Sequence, residues 1–207
     1  MRTLIQVGCN FTLDVIDLVR SHDLSILFEP LPECAAKLRQ LQEFFGELKT
    51  IIVVQAAVLQ HDWRELRKYN NNGLSSSLGI VSEDARMLYP QVNWTAQEII
   101  RVKCVSLVDY MPHRVTTLKI DAQGCDLEIL RSIDPWIREG RIETIQCECD
   151  GTHLNRDVRL YDFLPDNSEA SLLQFMLNKP YTSERDPGRV EWNPDYTFRR
   201  RADDVLG

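Results

Sequence analysis

At 207 residues, with 43% hydrophobic and 27% charged side chains, the chain has the length for a sizeable core and the polarity of an ordinary globular protein; one domain spanning 1–207 is expected. The formal net charge of −7 argues against nucleic acid or an anionic membrane as partner, because both need clustered Lys and Arg. No apolar run approaches the roughly 20 residues of a membrane span, and MRTLIQVGCN enters a strand directly without the features of a secretory signal, so a cytoplasmic setting is expected.

Thr3 to Gly8 is a short run of β-formers, followed by apolar residues at helical spacing from Leu13 to Val19 with Asn10 or Thr12 as a cap. Leu24 to Glu29 is the second strand, closed by Pro30, and Glu33 to Leu48 the second helix. Ile51 to Val58 is continuously apolar, as in a strand covered on both faces. This alternation predicts an α/β fold, a doubly wound parallel sheet with right-handed crossovers. The polar stretch HDWRELRKYNNNGLSSSLG then reads as a long binding loop. Glu83 to Tyr89 is a short helix before Pro90, and Glu98 to Leu107 an extra strand at an edge. Thr117 to Asp121 is a strand, followed by a helix to about Ile133, a strand at Ile142 to Glu148 and a helix at Ser168 to Leu177. A hairpin-like region punctuated by DPG and WNPD closes the chain.

Five of the six cysteines, Cys9, Cys104, Cys125, Cys147 and Cys149, sit in apolar or strand-like contexts without CxxC spacing. They read as reduced, buried thiols, and no metal site is expected.

The segment TTLKIDAQGCDLEILRSI, Thr116 to Ile133, carries the most chemistry. It leaves Lys119 and Asp121, two apart and so on one face, at the carboxyl end of a parallel strand, where open α/β sheets bind ligands. At the end of the first strand Gly8 marks a turn, and Glu29 follows 21 positions later, a spacing that suits an acid gripping two ribose hydroxyls. The dinucleotide fingerprint GxGxxG is absent, since Asn10 and Leu13 stand where it needs glycine. A ligand with a ribose but no phosphate tolerates Asn10, and S-adenosylmethionine is the common cofactor of that description.

In this order LIQVGCN, FEPLPE, VVQAAV, SSSLG, LKIDAQGCDLEIL and IETIQCECD resemble the FkbM family of S-adenosylmethionine-dependent methyltransferases over about residues 4 to 150. The block KID-x-x-G-x-(D/E)-x-x-x-L is the most specific part. The resemblance implies a class I methyltransferase (Rossmann-like) fold, with a mostly parallel seven-stranded sheet ending in an antiparallel hairpin, and methyl transfer to a hydroxyl oxygen of a sugar or another small acceptor. Carried over by position, Gly8, Cys9 and Asn10 cradle the methionine part of the cofactor, with Gln6 on the strand below. Glu29, followed by Pro30, binds the ribose, Ala57 borders the adenine, and Ser76 or Ser77 approaches from the long loop. Asp121 faces the methionine ammonium or the acceptor.

An acid is usual in the family where Gln6 and Gln123 stand, so a catalytically silent binding module is one alternative. A nucleotide-dependent oxidoreductase is the other, disfavoured by the missing glycines. For proton removal Asp121 is the first candidate, with Glu148, Asp150 and His153 as a second group, and Lys119 is placed to stabilise a developing alkoxide. The bland readings are a Lys119–Asp121 ion pair, a helix-capping Glu29, a loop histidine at 153 and a solvated turn at Ser75 to Ser77. The acceptor wall is expected from Asp62 to Gly79, from Asp150 to Pro165, or from another subunit of a homo-oligomer.

Overall fold

Short apolar runs alternating with amphipathic helices produce the expected winding. The computed structural model describes residues 1–60, 62–70, 75–162, 164 and 166–202. It begins with β1 (Thr3–Val7), α1 (Leu13–Arg20), β2 (Leu24–Phe28), α2 (Pro32–Phe45) and β3 (Thr50–Val54). Val15 and Val19 of α1 and Leu38 and Leu41 of α2 pack with Leu4, Leu27 and Ile51 in one cluster, so the helical and strand periodicities meet on one side of the sheet.

Next come β4 (Ala57–Val58), β5 (Asp62–Asn70), β6 (Ile80–Val81), α3 (Glu83–Leu88) and β7 (Asn93–Val105). The winding resumes with β8 (Val115–Ile120), α4 (Asp126–Ser132), α5 (Asp134–Arg138) and β9 (Ile142–Glu148). Three two-residue strands follow, β10 (Thr152–His153), β11 (Arg156–Asp157) and β12 (Tyr161–Asp162), and then α6 (Glu169–Met176), β13 (Tyr181–Arg185) and β14 (Asp195–Arg200).

The main sheet has the order β13-β14-β9-β8-β1-β2-β3. The pairings from β9 through β3 are parallel, and β14 runs antiparallel to both neighbours. The expected seven-stranded, mostly parallel sheet with an antiparallel C-terminal hairpin is therefore present. The strand order reverses between β1 and β8, the position at which open α/β sheets form a crevice at their carboxyl ends. A large core of Ile5, Phe28, Leu118, Ile145 and Phe198 lies against α4 and α6.

Three segments differ from the sequence reading. The apolar run Ile51 to Val58 is two strands in two sheets, and β3 is the sheet edge, with Ile52 43% exposed; apolarity alone did not reveal the turn at Gln55 and Ala56. The polar stretch taken as a loop contains the nine-residue β5, paired antiparallel with β7. Register shifts at Lys68, Tyr69 and Asn70 break its alternation, leaving buried Leu66 and Tyr69 three positions apart, out of phase for a strand. The extra strand is longer than expected and central, in the order β4-β7-β5. Residues 61 and 71–74 of the expected loop lie outside the described residues, as do residues 163 and 165 of the second expected acceptor wall. Among the described residues no helix is long and apolar enough to cross a membrane.

Candidate active site

The polar ends of β1, β2, β8 and β9 border one hollow of about 460 Å³. Its geometry starts with Gly8, whose φ of +71° turns the chain out of β1. A β-carbon there would lie 1.9 Å from the carbonyl oxygen of Asp121, so only glycine lets the ends of β1 and β8 approach this closely. Asn10, at φ +46°, and Gln123, at φ +50°, also hold the left-handed region on this rim.

Glu29 joins two turns. One carboxylate oxygen accepts the Asn10 N–H at 2.6 Å and the other the Leu31 N–H at 2.8 Å. Burial outweighs these bonds and pushes its carboxyl up to about 7. The bland reading of Glu29 as a cap for the following helix is thus partly realised through Leu31 at the N-cap of α2, alongside its position in the wall of the hollow. Pro30, Leu31, Ala56, Ala57 and Val58 add apolar wall beside it.

The floor is a row of directly paired residues on four strands. Gln6 lies opposite Lys119, Lys119 opposite Gln146, and Gln146 opposite Thr197, and all four line the hollow. Opposed residues in a sheet share a face, so the row is polar from β1 to β14. The Gln6 side-chain oxygen is buried and, among the described residues, has no hydrogen-bond partner. Lys119 forms an ion pair at 4.0 Å with Asp14 of α1, not with Asp121 as the bland reading had it.

Above the floor lies a band of carboxyl groups. Asp121 accepts a hydrogen bond from the Gln123 amide at 2.5 Å; burial raises its carboxyl, opposed by that bond and by Lys119. Burial also raises Glu148, and the charges of Asp121, Asp126 and Asp195 add to the shift. Arg189 tempers the group through its ion pair with Asp195 at 2.7 Å.

The structure gathers Gln6, Gly8, Cys9, Asn10, Glu29, Pro30, Ala57, Lys119, Asp121 and Glu148 around this hollow. Three candidates lie elsewhere. The Ser77 hydroxyl donates to the Gln123 carbonyl at 2.9 Å and accepts the Gly79 N–H, a structural clasp, whereas Ser76 lines the hollow with its hydroxyl unpartnered among the described residues. Asp150 accepts the Leu160 N–H, and burial pushes it up to about 7 away from the hollow. His153 is carried outward on β10, edge-on to Trp192 at 5.1 Å.

The far wall also differs from expectation. Among the described residues, Leu66, Ser76 and Leu78 represent the first expected segment and 150–165 contributes nothing; instead Glu184 near the end of β13 and Asp186, Pro187 and Arg189 of the β13–β14 connection close that side. In the sequence DPG and WNPD signal only turns. The second acid of the KID block, Asp126, has a structural role that the spacing does not reveal. Its two oxygens accept the N–H groups of Ala122 and Glu148, at 3.1 and 3.2 Å, which ties the turn after β8 to the end of β9.

The model of the methyltransferase FkbM domain matches residues 6–182. No curated protein matches the sequence. Among solved structures, the N-terminal domain of EvdMO1, with S-adenosylhomocysteine bound, is similar at a TM-score of 0.51 and 11% identity, covering 97% of this chain and 75% of that one. An rRNA methylase from Streptococcus thermophilus aligns at 0.49 and 7% identity, covering 96% and 86%. The 23S rRNA methyltransferase ErmE aligns at 0.44 and 13% identity, covering 100% and 64%. These last two are named for action on RNA. The exclusion of nucleic acid drawn from net charge is withdrawn, because a formal charge of −7 is a sum over the whole chain and does not decide the acceptor class. With the family model spanning most of its length, the chain belongs to the FkbM methyltransferase domain family, whose methyl donor is S-adenosylmethionine.

Proposed function

We propose that residues 1–207 form a single methyltransferase domain that transfers a methyl group from S-adenosylmethionine to a hydroxyl oxygen of a polyhydroxylated acceptor such as a sugar. The observation that carries this reading is the polar row Gln6, Lys119, Gln146 and Thr197, which continues past the switch point under the carboxylate band, with donors and acceptors for several hydroxyls.

The hollow suits the cofactor. Its volume of about 460 Å³ falls in the usual range for ligand sites. The unpartnered Gln6 oxygen offers an acceptor to an ammonium group, Glu29 retains lone pairs for ribose hydroxyls, and Ala57 and Leu31 give an apolar wall for a base. When bound, S-adenosylmethionine supplies a methyl group already activated by its sulfonium.

The protein's own part is alignment and proton removal. The turn Gly8 to Asn10 and Glu29 fix one side, and the floor row orients the acceptor; holding two reactants in line removes much of the entropic barrier. Asp121, at the junction of the two halves, takes the hydroxyl proton, and its raised carboxyl lies closer to neutrality, where a base is most effective. Lys119 faces the same space and stabilises the oxygen as charge develops.

Calorimetry with S-adenosylmethionine, S-adenosylhomocysteine and NAD tests the cofactor side. Micromolar binding of the first two is expected; binding of NAD alone would overturn the reading. Transfer of a labelled methyl group to a panel of sugars and RNAs tests the acceptor. Label on a sugar oxygen supports the proposal, and label confined to a base nitrogen of RNA refutes it.

A further inference from the structure

Gln123 stands at the rim in a conformation that side chains rarely adopt, φ +50°, between Asp121 and the side sheets. Its carboxamide makes two bonds of opposite sense. The amide N–H donates to Asp121 Oδ1 at 2.5 Å, and the amide oxygen accepts the Tyr161 hydroxyl at 2.8 Å. Tyr161 is itself held: it is 4% exposed, its backbone pairs with β6, and its ring packs 3.3 Å from where a β-carbon on Gly124 would be. The Gln123 carbonyl accepts the Ser77 hydroxyl, which fixes the backbone from the same side. The order phenol, carboxamide, carboxylate thus has one consistent direction of donation.

A carboxylate at position 123 could accept from Tyr161, but it has no proton to donate to Asp121 unless protonated. Two carboxylates at this distance would share a proton, as like charges so close do not both ionise. The amide removes that competition and donates to the charged form of Asp121.

We propose that Gln123 is a positioning residue: clamped by Tyr161, it holds Asp121 as an ionised acceptor and leaves the second carboxylate oxygen for the hollow. The inference rests on the reading of Asp121 as the proton acceptor. The other charges facing Asp121 come from every side: Lys119 on β8, which Asp121 follows, Glu29 at the end of β2, Asp126 on α4, Glu148 on β9, Arg189 in the hairpin connection and Asp195 on β14. Four of these six are acids, which favour a neutral Asp121. Lys119 is turned to Asp14, and Arg189 is engaged by Asp195. Gln123 is the neutral donor in direct contact that opposes them.

The test is the titration of the Asp121 carboxyl carbon by NMR in protein labelled at aspartate, with the signal identified through Asp121→Asn. In the unaltered protein the Gln123 side-chain amide signals must shift with the same midpoint as Asp121, and an amide that ignores that titration overturns the proposal without any variant. In Gln123→Leu the midpoint is expected to rise by about one pH unit, and in Gln123→Glu by more. A midpoint unchanged in both refutes the role, even if thermal stability falls, because a merely structural residue would move stability alone. Calorimetric titration of S-adenosylhomocysteine into the same samples separates the two claims: no binding removes the functional reading, whereas the coupling of Gln123 to Asp121 stands or falls on the NMR midpoints.

Discussion

Gly8 and Asp121 meet backbone to backbone. The Asp121 N–H donates to the Val7 carbonyl at 3.0 Å, and the Asp121 carbonyl oxygen occupies the space where a side chain at position 8 would begin. Any β-carbon therefore adds a clash to a left-handed φ. Gly8→Ala is expected to cost about 2–5 kcal/mol of stability, and to abolish binding of S-adenosylhomocysteine because the ends of β1 and β8 must part. A thermal midpoint within about 1 °C of the parent would refute this account.

Asp126 performs a different task from its neighbours in the carboxylate band. It is 1% exposed, and its oxygens serve two backbone N–H groups from separate segments, those of Ala122 and Glu148. Asp126→Ala strands both donors in a buried place, at an expected cost of about 2–4 kcal/mol in urea unfolding. Glu128 on the same helix provides the control. Its pair with Arg131 is part-exposed and 4.0 Å long, so Glu128→Ala should change stability by no more than about 0.5 kcal/mol. Equal losses in the two variants would disprove the stapling role.

The two halves of the hollow were not equally legible in the sequence. Gly8, Glu29 and Asp121 stood out because each ends an apolar parallel strand, and apolar runs that stop at a polar residue mark the rim of such a sheet. The wall built by Asp186 and Arg189 did not stand out. It depends on β14 pairing back onto β9, a long-range contact, and Pro and Gly in DPG signal only that the chain turns. Gln123 was visible as a departure from the family pattern. Its partner Tyr161, 38 positions away, was not. The strand β5 was hidden for a third reason: Asp62 to Glu65 are all exposed, and register shifts against β7 interrupt the pairing at Lys68 to Asn70, so no alternation is readable.

The six cysteines are all buried and unpaired with one another. Burial is the leading cause that raises every one of these thiols, to about 11 for Cys34 and about 12 for Cys125. Thiolate, the reactive form, is therefore scarce at pH 8 or so. A disulfide-forming reagent added to the native protein is expected to label no cysteine within minutes and all six after denaturation. Rapid labelling of even one native thiol would contradict the burial of all six.

With Glu29 as the proposed ribose acceptor, cofactor affinity should depend on pH, and the sign follows from its raised carboxyl. Against an ordinary value of 4.5, the folded protein holds the Glu29 proton until about pH 7. Between those values the native state binds more protons than the unfolded chain. Stability from this group is therefore fully present below 4.5 and is lost as pH rises through about 7. Ribose hydroxyls donating to Glu29 favour the charged form, so binding has the opposite dependence. Below about pH 7 the site must first release a proton, and affinity for S-adenosylhomocysteine should climb with pH by up to about tenfold per unit before levelling off. Asp121, also raised, adds to the slope, so the diagnostic quantity is the difference between the parent and Glu29→Gln. Calorimetry at about pH 5.5, 6.5 and 7.5 in buffers of different ionisation heat should show proton release in the parent that is reduced in the variant. Identical release in both would mean that the ribose hydroxyls do not engage Glu29, and that this carboxyl serves only the N–H groups of Asn10 and Leu31.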